Sequence, residues 1–252
     1  MNAESNTTAA RPKRRRSKWF LILIFLIGAG VVGYFKVQGL VAKEQAAASR
    51  LQQLGALCSN STSLVAKQMG KGRHPGAANL LTIQDPAKFR EAVELLRDLP
   101  FLTSIDMSGT SLKDEDLSLI AGLKRITNLN LSQTQVTDKG IAHLKGMSGL
   151  RNLHAGGTPV TKESLPVISR LKGLQVVDLS GTNIDGGLGP LAALPELEWL
   201  LLRDLKIEDD SLGELSSSPK LNRLDVRGAT LADESGLKKL ADKGGRLKIE
   251  TD

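Results

Sequence analysis

LTSIDMSGTSL (102–112), ITNLNLSQTQV (126–136), LRNLHAGGTPV (150–160), LQVVDLSGTNI (174–184), LEWLLLRDLKI (197–207) and LNRLDVRGATL (221–231) are variants of one pattern. A truncated LKIE follows at Leu247, and successive starts differ by 24, 24, 24, 23, 24 and 26 residues. A fixed period of this length predicts a solenoid in which each coil buries its apolar face only against its neighbours. Within a unit, apolar residues fall at positions 1, 4, 6 and 11, as in Ile126, Leu129, Leu131 and Val136. Alternation at 4 and 6 predicts a half-buried strand. A second apolar set at positions 16, 19 and 22, such as Leu117, Ile120 and Leu123, has the spacing of a short helix packed on one face. An acid often precedes it (Asp114, Asp138, Glu163, Asp209, Asp233) and is expected to cap free backbone N–H groups.

Each unit therefore reads as strand, turn, helix. The fold class is α/β: a right-handed solenoid with a parallel sheet on the inner curve and short helices outside. The pattern resembles the leucine-rich repeat family, in its 24-residue subtype whose outer helix opens with a TDxGL signature, legible in Thr137-Asp138-Lys139-Gly140-Ile141. Similar units occur in bacterial repeat proteins and in the repeat half of F-box substrate adaptors; no F-box-like segment precedes these units, so an adaptor role does not carry over. The family's usual asparagine at position 9 is replaced by Thr110, Thr134, Thr158 and Thr182, then by Leu205 and Ala229. The last two units are therefore expected to have looser turns.

Working outward, the pattern gives five segments. Residues 1–18 form a basic tail containing Arg11, Lys13, Arg14, Arg15, Arg16 and Lys18 against Glu4 alone. Residues 19–35, WFLILIFLIGAGVVGYF, carry no charge, and residues 19–36 are expected to form a transmembrane helix. At 1.5 Å per residue the apolar run spans about 25 Å, the short end for a bilayer core. The preceding basic run places the N-terminus in the cytoplasm and the repeats outside, in the periplasm if the source is a bacterium. This describes a single-pass signal-anchor rather than a cleaved signal peptide: the apolar run is long, and no small-x-small site follows it directly. Residues 37–62 read as a juxtamembrane helix and linker, with the helix over 46–57. Residues 63–101 read as an N-terminal cap, with strands at Ser63–Met69 and Leu80–Ile83 and a helix at Phe89–Leu99. Residues 102–249 are the repeats.

Composition narrows the function. The chain has 252 residues, a net charge of +7, one cysteine (Cys58) and three histidines (His74, His143, His154). One cysteine excludes an internal disulfide framework and a multi-cysteine zinc site. Most of the excess charge sits in residues 1–18, so the repeats offer no bulk electrostatic reason to bind nucleic acid. The stretch Gly70–Gly76 lacks the spacing of a P-loop and reads as a hairpin loop. No metal, cofactor or catalytic residue is assigned.

Strand parity locates the candidate site. With positions 4 and 6 buried, positions 3, 5 and 7 face out from the inner sheet. The first three units put small polar groups and His154 there. The later units put Val176, Trp199 and Leu201 beside Arg203, Arg223 and Arg227, with Asp178 and Asp225 among them. Trp and Arg dominate interface hot spots, and an apolar cluster flanked by arginines marks a contact surface. The plain alternative is that Trp199 stacks on Arg223 while Asp178, Asp204 and Asp225 neutralise the arginines. The leading expectation is a membrane-anchored module holding an unidentified protein partner on its concave face. A self-associating structural protein, hence a homo-oligomer, is the second. A hydrolase using His154 and Asp178, which occupy the same position on adjacent strands, is the third; it lacks an activated nucleophile.

Overall fold

The computed structural model describes residues 39, 42–43, 45–54, 56–59, 80–82, 86–96, 99, 102–208, 210–232, 234–241 and 247–252. Residues 1–43 and 44–252 are separate compact units. The first contributes only residues 39, 42 and 43 to the description. The apolar segment 19–36, the loop containing His74, and the strand expected at Ser63–Met69 all lie outside the described residues. No described helix is long and apolar enough to cross a membrane.

In residues 44–252 one sheet runs the length of the solenoid. Its strands are β1 (Leu57–Ser59), β2 (Leu80–Thr82), β3 (Ser104–Asp106), β4 (Asn128–Asn130), β5 (Asn152–His154), β6 (Val176–Asp178), β7 (Trp199–Leu201), β9 (Arg223–Asp225) and β11 (Lys248–Glu250), in that order. All neighbours are parallel except β1 and β2. Register follows the repeat: Ile105, Leu129, Leu153, Val177, Leu200 and Leu224 form one row, each 0 or 1% exposed. Position 6 adds a second row of Met107, Leu131, Ala155, Leu179, Leu202 and Val226. Fully burying one aliphatic side chain of this kind stabilises by about 1.5–3 kcal/mol, so stacking supplies most of the driving force. The register also shifts one expectation. Lys248 pairs with Arg223, so Leu247 stands at position 2 rather than position 1 of the last coil.

The cap differs in detail from the sequence reading. The first helix ends by residue 53 and β1 follows, although the helix was expected to reach residue 57. Leu57–Ser59 instead gains a partner by pairing antiparallel with β2. The next helix is Pro86–Leu96, with Pro86 at its first position, where its missing N–H costs nothing. Phe89, Ala92 and Leu96 on that helix join the same core that runs from Ala47 to Leu240. Residues 44–252 therefore carry a complete core of their own.

Each coil turns at position 8 with positive φ: Gly109 (68°), Gln133 (57°), Gly157 (68°), Gly181 (62°), Asp204 (56°) and Gly228 (68°). Position 8 then donates across to the next coil, Gln133 N–H to Gly156 O at 2.7 Å and Gly157 N–H to Ser180 O at 2.7 Å. The position 9 threonines close the same turn, their hydroxyls donating to Met107, Leu131, Ala155 and Leu179 carbonyls at 2.6–2.7 Å. Units five and six lack that hydroxyl, with Leu205 and Ala229 at position 9, and make a different contact beyond the turn. Strands β8 (Lys206–Ile207) and β10 (Thr230–Leu231) pair there in a second parallel sheet, with Thr230 N–H donating to Leu205 O at 2.8 Å.

The helix-opening acids also act differently from expectation. Asp114 accepts from Thr137 N–H and hydroxyl, both at 2.7 Å, and Asp138 accepts from Thr161 N–H (2.9 Å) and hydroxyl (2.7 Å). Each acid thus clamps the following coil. The threonines are the caps, accepting from Lys139 N–H and Glu163 N–H. Asp209 and Asp233 lie outside the described residues. The glycine of the TDxGL signature permits this approach: a Cβ on Gly140 would lie 2.5 Å from Asp114 Oδ1 and 2.8 Å from Val136 Cγ1.

Replacing Asp138 by alanine removes both bonds to Thr161 and is expected to lower stability by about 1–2 kcal/mol, read as an earlier urea midpoint at neutral pH. An unchanged midpoint would show that the clamp contributes nothing.

Candidate functional site

The inner sheet carries two chemically distinct halves. Position 3 of the first three units is a polar ladder: Asn152 Nδ2 donates to Asn128 Oδ1 at 2.9 Å, and Asn128 Nδ2 to Ser104 Oγ at 3.1 Å. The later units replace it with Val176, Trp199 and Arg223, which are in register across β6, β7 and β9. All three are half-buried. The Arg223 guanidinium lies 4.5 Å from the Trp199 ring centroid, a cation–π contact. The indole Nε1 is buried and has no hydrogen-bond partner.

Position 5 departs from the simple outward reading. Asp106, Asn130, Asp178 and Asp225 each accept the N–H two residues on, from Ser108, Ser132, Ser180 and Arg227 at 3.0–3.3 Å. These side chains therefore shape the turn toward position 7. Leu201 and Asp225 were expected on the accessible surface; they are 6% and 0% exposed. Asp225 is covered by the arginines it holds: Arg203 Nε at 2.6 Å, and Arg227 Nε and Nη2 at 2.9 and 2.6 Å. Leu201 is hemmed in by the strands of Asp178 and Asp225 on either side. The accessible part of the patch is accordingly Trp199, Val176 and the outer faces of Arg203, Arg223 and Arg227.

Sequence reasoning missed Glu250. The one-residue shift of the last coil brings it opposite Asp225, where it meets Arg223 Nη2 at 3.0 Å, Arg227 Nη2 at 3.4 Å and Lys248 Nζ at 3.1 Å. Treating LKIE as positions 2–5, by matching its isoleucine to the buried row, was the available signal. The neutralising carboxylates are thus Asp225 and Glu250. Asp204 instead occupies the position 8 turn, and Asp178 belongs to a different contact.

His154 and Asp178 do meet, with Nδ1 3.8 Å from Oδ2. Burial raises the Asp178 carboxyl, but the His154 ring and the Ser180 N–H and hydroxyl outweigh it and hold it below the ordinary carboxylate range. The Ser180 hydroxyl thus engages the carboxylate, and its oxygen accepts Arg203 N–H at 3.2 Å. Such a serine is not poised on the imidazole as a nucleophile. Beside this pair, Gly156 and Gly157 leave a shallow hollow of about 320 Å³, lined also by Ser132, Gln133, Asp178, Ser180, Gly181 and Asp204. Among the described residues no cluster of histidine, cysteine, aspartate or glutamate could hold a metal ion. His143 is half-buried at the end of the helix Asp138–His143.

Parallel strands in register every 23–25 residues, short outer helices and one continuous apolar core define a leucine-rich repeat solenoid. Solved structures of internalins, which are leucine-rich repeat proteins, have the same fold. Internalin C2 from Listeria monocytogenes is similar at a TM-score of 0.54 and 24% identity, over 75% of this chain and 90% of that one. An internalin F from the same species is similar at a TM-score of 0.51 and 17% identity, over 64% of this chain and 50% of that one. No protein-family model matches the sequence, and no curated protein matches it.

Hydrogen bonds from Arg227 and Arg203 hold the Asp225 carboxyl far below its ordinary range despite burial, and Arg223 and Lys248 lower Glu250. Folded-state pKa values below the unfolded ones give stability that is complete above about pH 4 and is lost as pH falls through the folded values. Thermal unfolding is therefore expected to show a falling melting temperature from about pH 4 to 2.5, and a smaller fall over that range in Asp225→Asn. Equal falls in the two proteins would contradict the assignment.

Proposed function

We propose that this chain is a non-enzymatic protein-interaction module that holds a protein partner on its concave sheet. The observation that carries the reading is Trp199: an aromatic on the third strand from the C-terminal end of the inner sheet, half-buried, between Val176 and the stacked Arg223, with Arg203 and Arg227 fixed alongside by a buried carboxylate. Aromatic and arginine side chains held rigid before binding contribute contact area with little further loss of conformational freedom. Replacing Trp199 and Arg223 together by alanine is expected to weaken partner capture at least tenfold in a pull-down while the circular dichroism spectrum is retained. Undiminished capture would remove this patch from the reading. Arg203 is unsuited to this test, since its loss would leave Asp225 short of a partner.

The same proposal places the repeats outside the cytoplasm, in the periplasm of a bacterium, tethered by an uncleaved helix over residues 19–36. Its support is the run RPKRRRSK immediately before 17 uncharged residues. Deleting residues 1–36 is expected to move the protein from the membrane fraction to the soluble fraction. Recovery of the intact chain in the soluble fraction would rule out the anchor.

A further inference from the structure

We propose that the edge of the solenoid from which the strands start docks on the headgroups of an anionic lipid bilayer. The segments entering the strands of the second, third and fourth units, 121–127, 145–151 and 169–175, contain Lys124, Arg125, Lys145, Arg151, Arg170 and Lys172 and no acid. All six side chains are exposed. Among the described residues, none of the six is ion-paired; Lys172 Nζ reaches only the Ala193 carbonyl, at 3.3 Å. The three segments lie on one another: Arg151 N–H donates to Thr127 O at 2.8 Å, Gln175 N–H donates to Arg151 O at 2.7 Å, and a Cβ on Gly149 would strike Lys124 O. With coils about 4.8 Å apart, the cations form one strip.

Two observations argue that this strip is more than ordinary surface. Short outer helices end at this edge, and their carbonyl ends favour cations. Yet the next coil, with the same helix end, has Glu196 in the column of Arg125, and Glu198 in the column of Arg151. Helix ends therefore do not require cations here, and the charge is confined to the coils nearer the N-terminus. Leu119 is the one large hydrophobic side chain among the described residues that is exposed (41%), on the helix whose end leads into Lys124 and Arg125. A strip of cations beside an apolar side chain matches the chemistry of a headgroup layer, where each basic residue adds attraction that salt screens. The choice of a bilayer over another polyanion rests on the membrane anchor proposed above.

The test uses residues 44–252, which hold the whole core, in sedimentation with vesicles of phosphatidylcholine alone or with about a third phosphatidylglycerol. Binding to the anionic vesicles only, released by about 0.5 M salt, is the expected result. The variant K124E/R125E/R151E/K172E is expected to bind at least tenfold more weakly, and the milder Arg151→Gln with Lys172→Gln to fall between. Equal binding to neutral vesicles, full binding by the milder variant, or tighter binding to duplex DNA than to anionic vesicles would overturn the proposal. Because this fragment lacks residues 1–43, its failure leaves the anchor standing, and fractionation of the intact chain tests the anchor separately.

Discussion

Everything in the repeat region depends on each coil returning to the same place after 23 to 25 residues. The return is enforced at position 8, where the backbone takes positive φ in all six units and its N–H is passed to the next coil. That single reversal sends the chain from the inner sheet toward the outer helix. It keeps positions 4 and 6 on the buried side, and so lines up Ile105, Leu129, Leu153, Val177, Leu200 and Leu224. Glycine meets the demand at no steric cost in four units; Gln133 and Asp204 meet it with a side chain attached.

This constraint explains how much was legible beforehand. Leucine spacing revealed the strands, their order and their facing, because burial of alternate residues is a one-dimensional property that sequence displays directly. The position 8 reversal was equally present, as the glycine of SGT and GGT, but its purpose emerges only when six coils are superposed. Asp114 and Asp138 were recognised as helix-opening acids and given the wrong partner. Sequence presents Asp138 as a neighbour of its own helix, whereas stacking sets it beside Thr161 in the next coil. Contacts between coils are invisible until the lateral register is known. Glu250 escaped for the same reason: a one-residue offset in a truncated coil changes which column it joins.

At the candidate site, strand parity gave the inward and outward facing of the residues and overstated what is accessible. Asp225 and Leu201 point to the inner side yet lie beneath other side chains, because two arginines converge on one carboxylate and β7 is flanked on both sides. The consequence is a patch with a rigid foundation. Arg203 and Arg227 are fixed by Asp225, and Arg223 is held between Trp199 and Glu250, so the guanidinium groups are held in fixed orientations. The first half of the sheet, with its asparagine ladder and Asx turns, spends its polar groups internally and offers little for a partner to displace.

The coil-to-coil fastenings are unevenly distributed. Carboxylate–threonine pairs join the first three coils, an exposed lysine–aspartate pair joins the third to the fourth, and arginine–glutamate contacts hold the last strand. A tug on a guest seated near Trp199 would reach the outermost coil through Glu250 before it reached the aspartate–threonine pairs. Because each coil touches only its neighbours, a pull on the last strand would load the stack from that end, coil by coil.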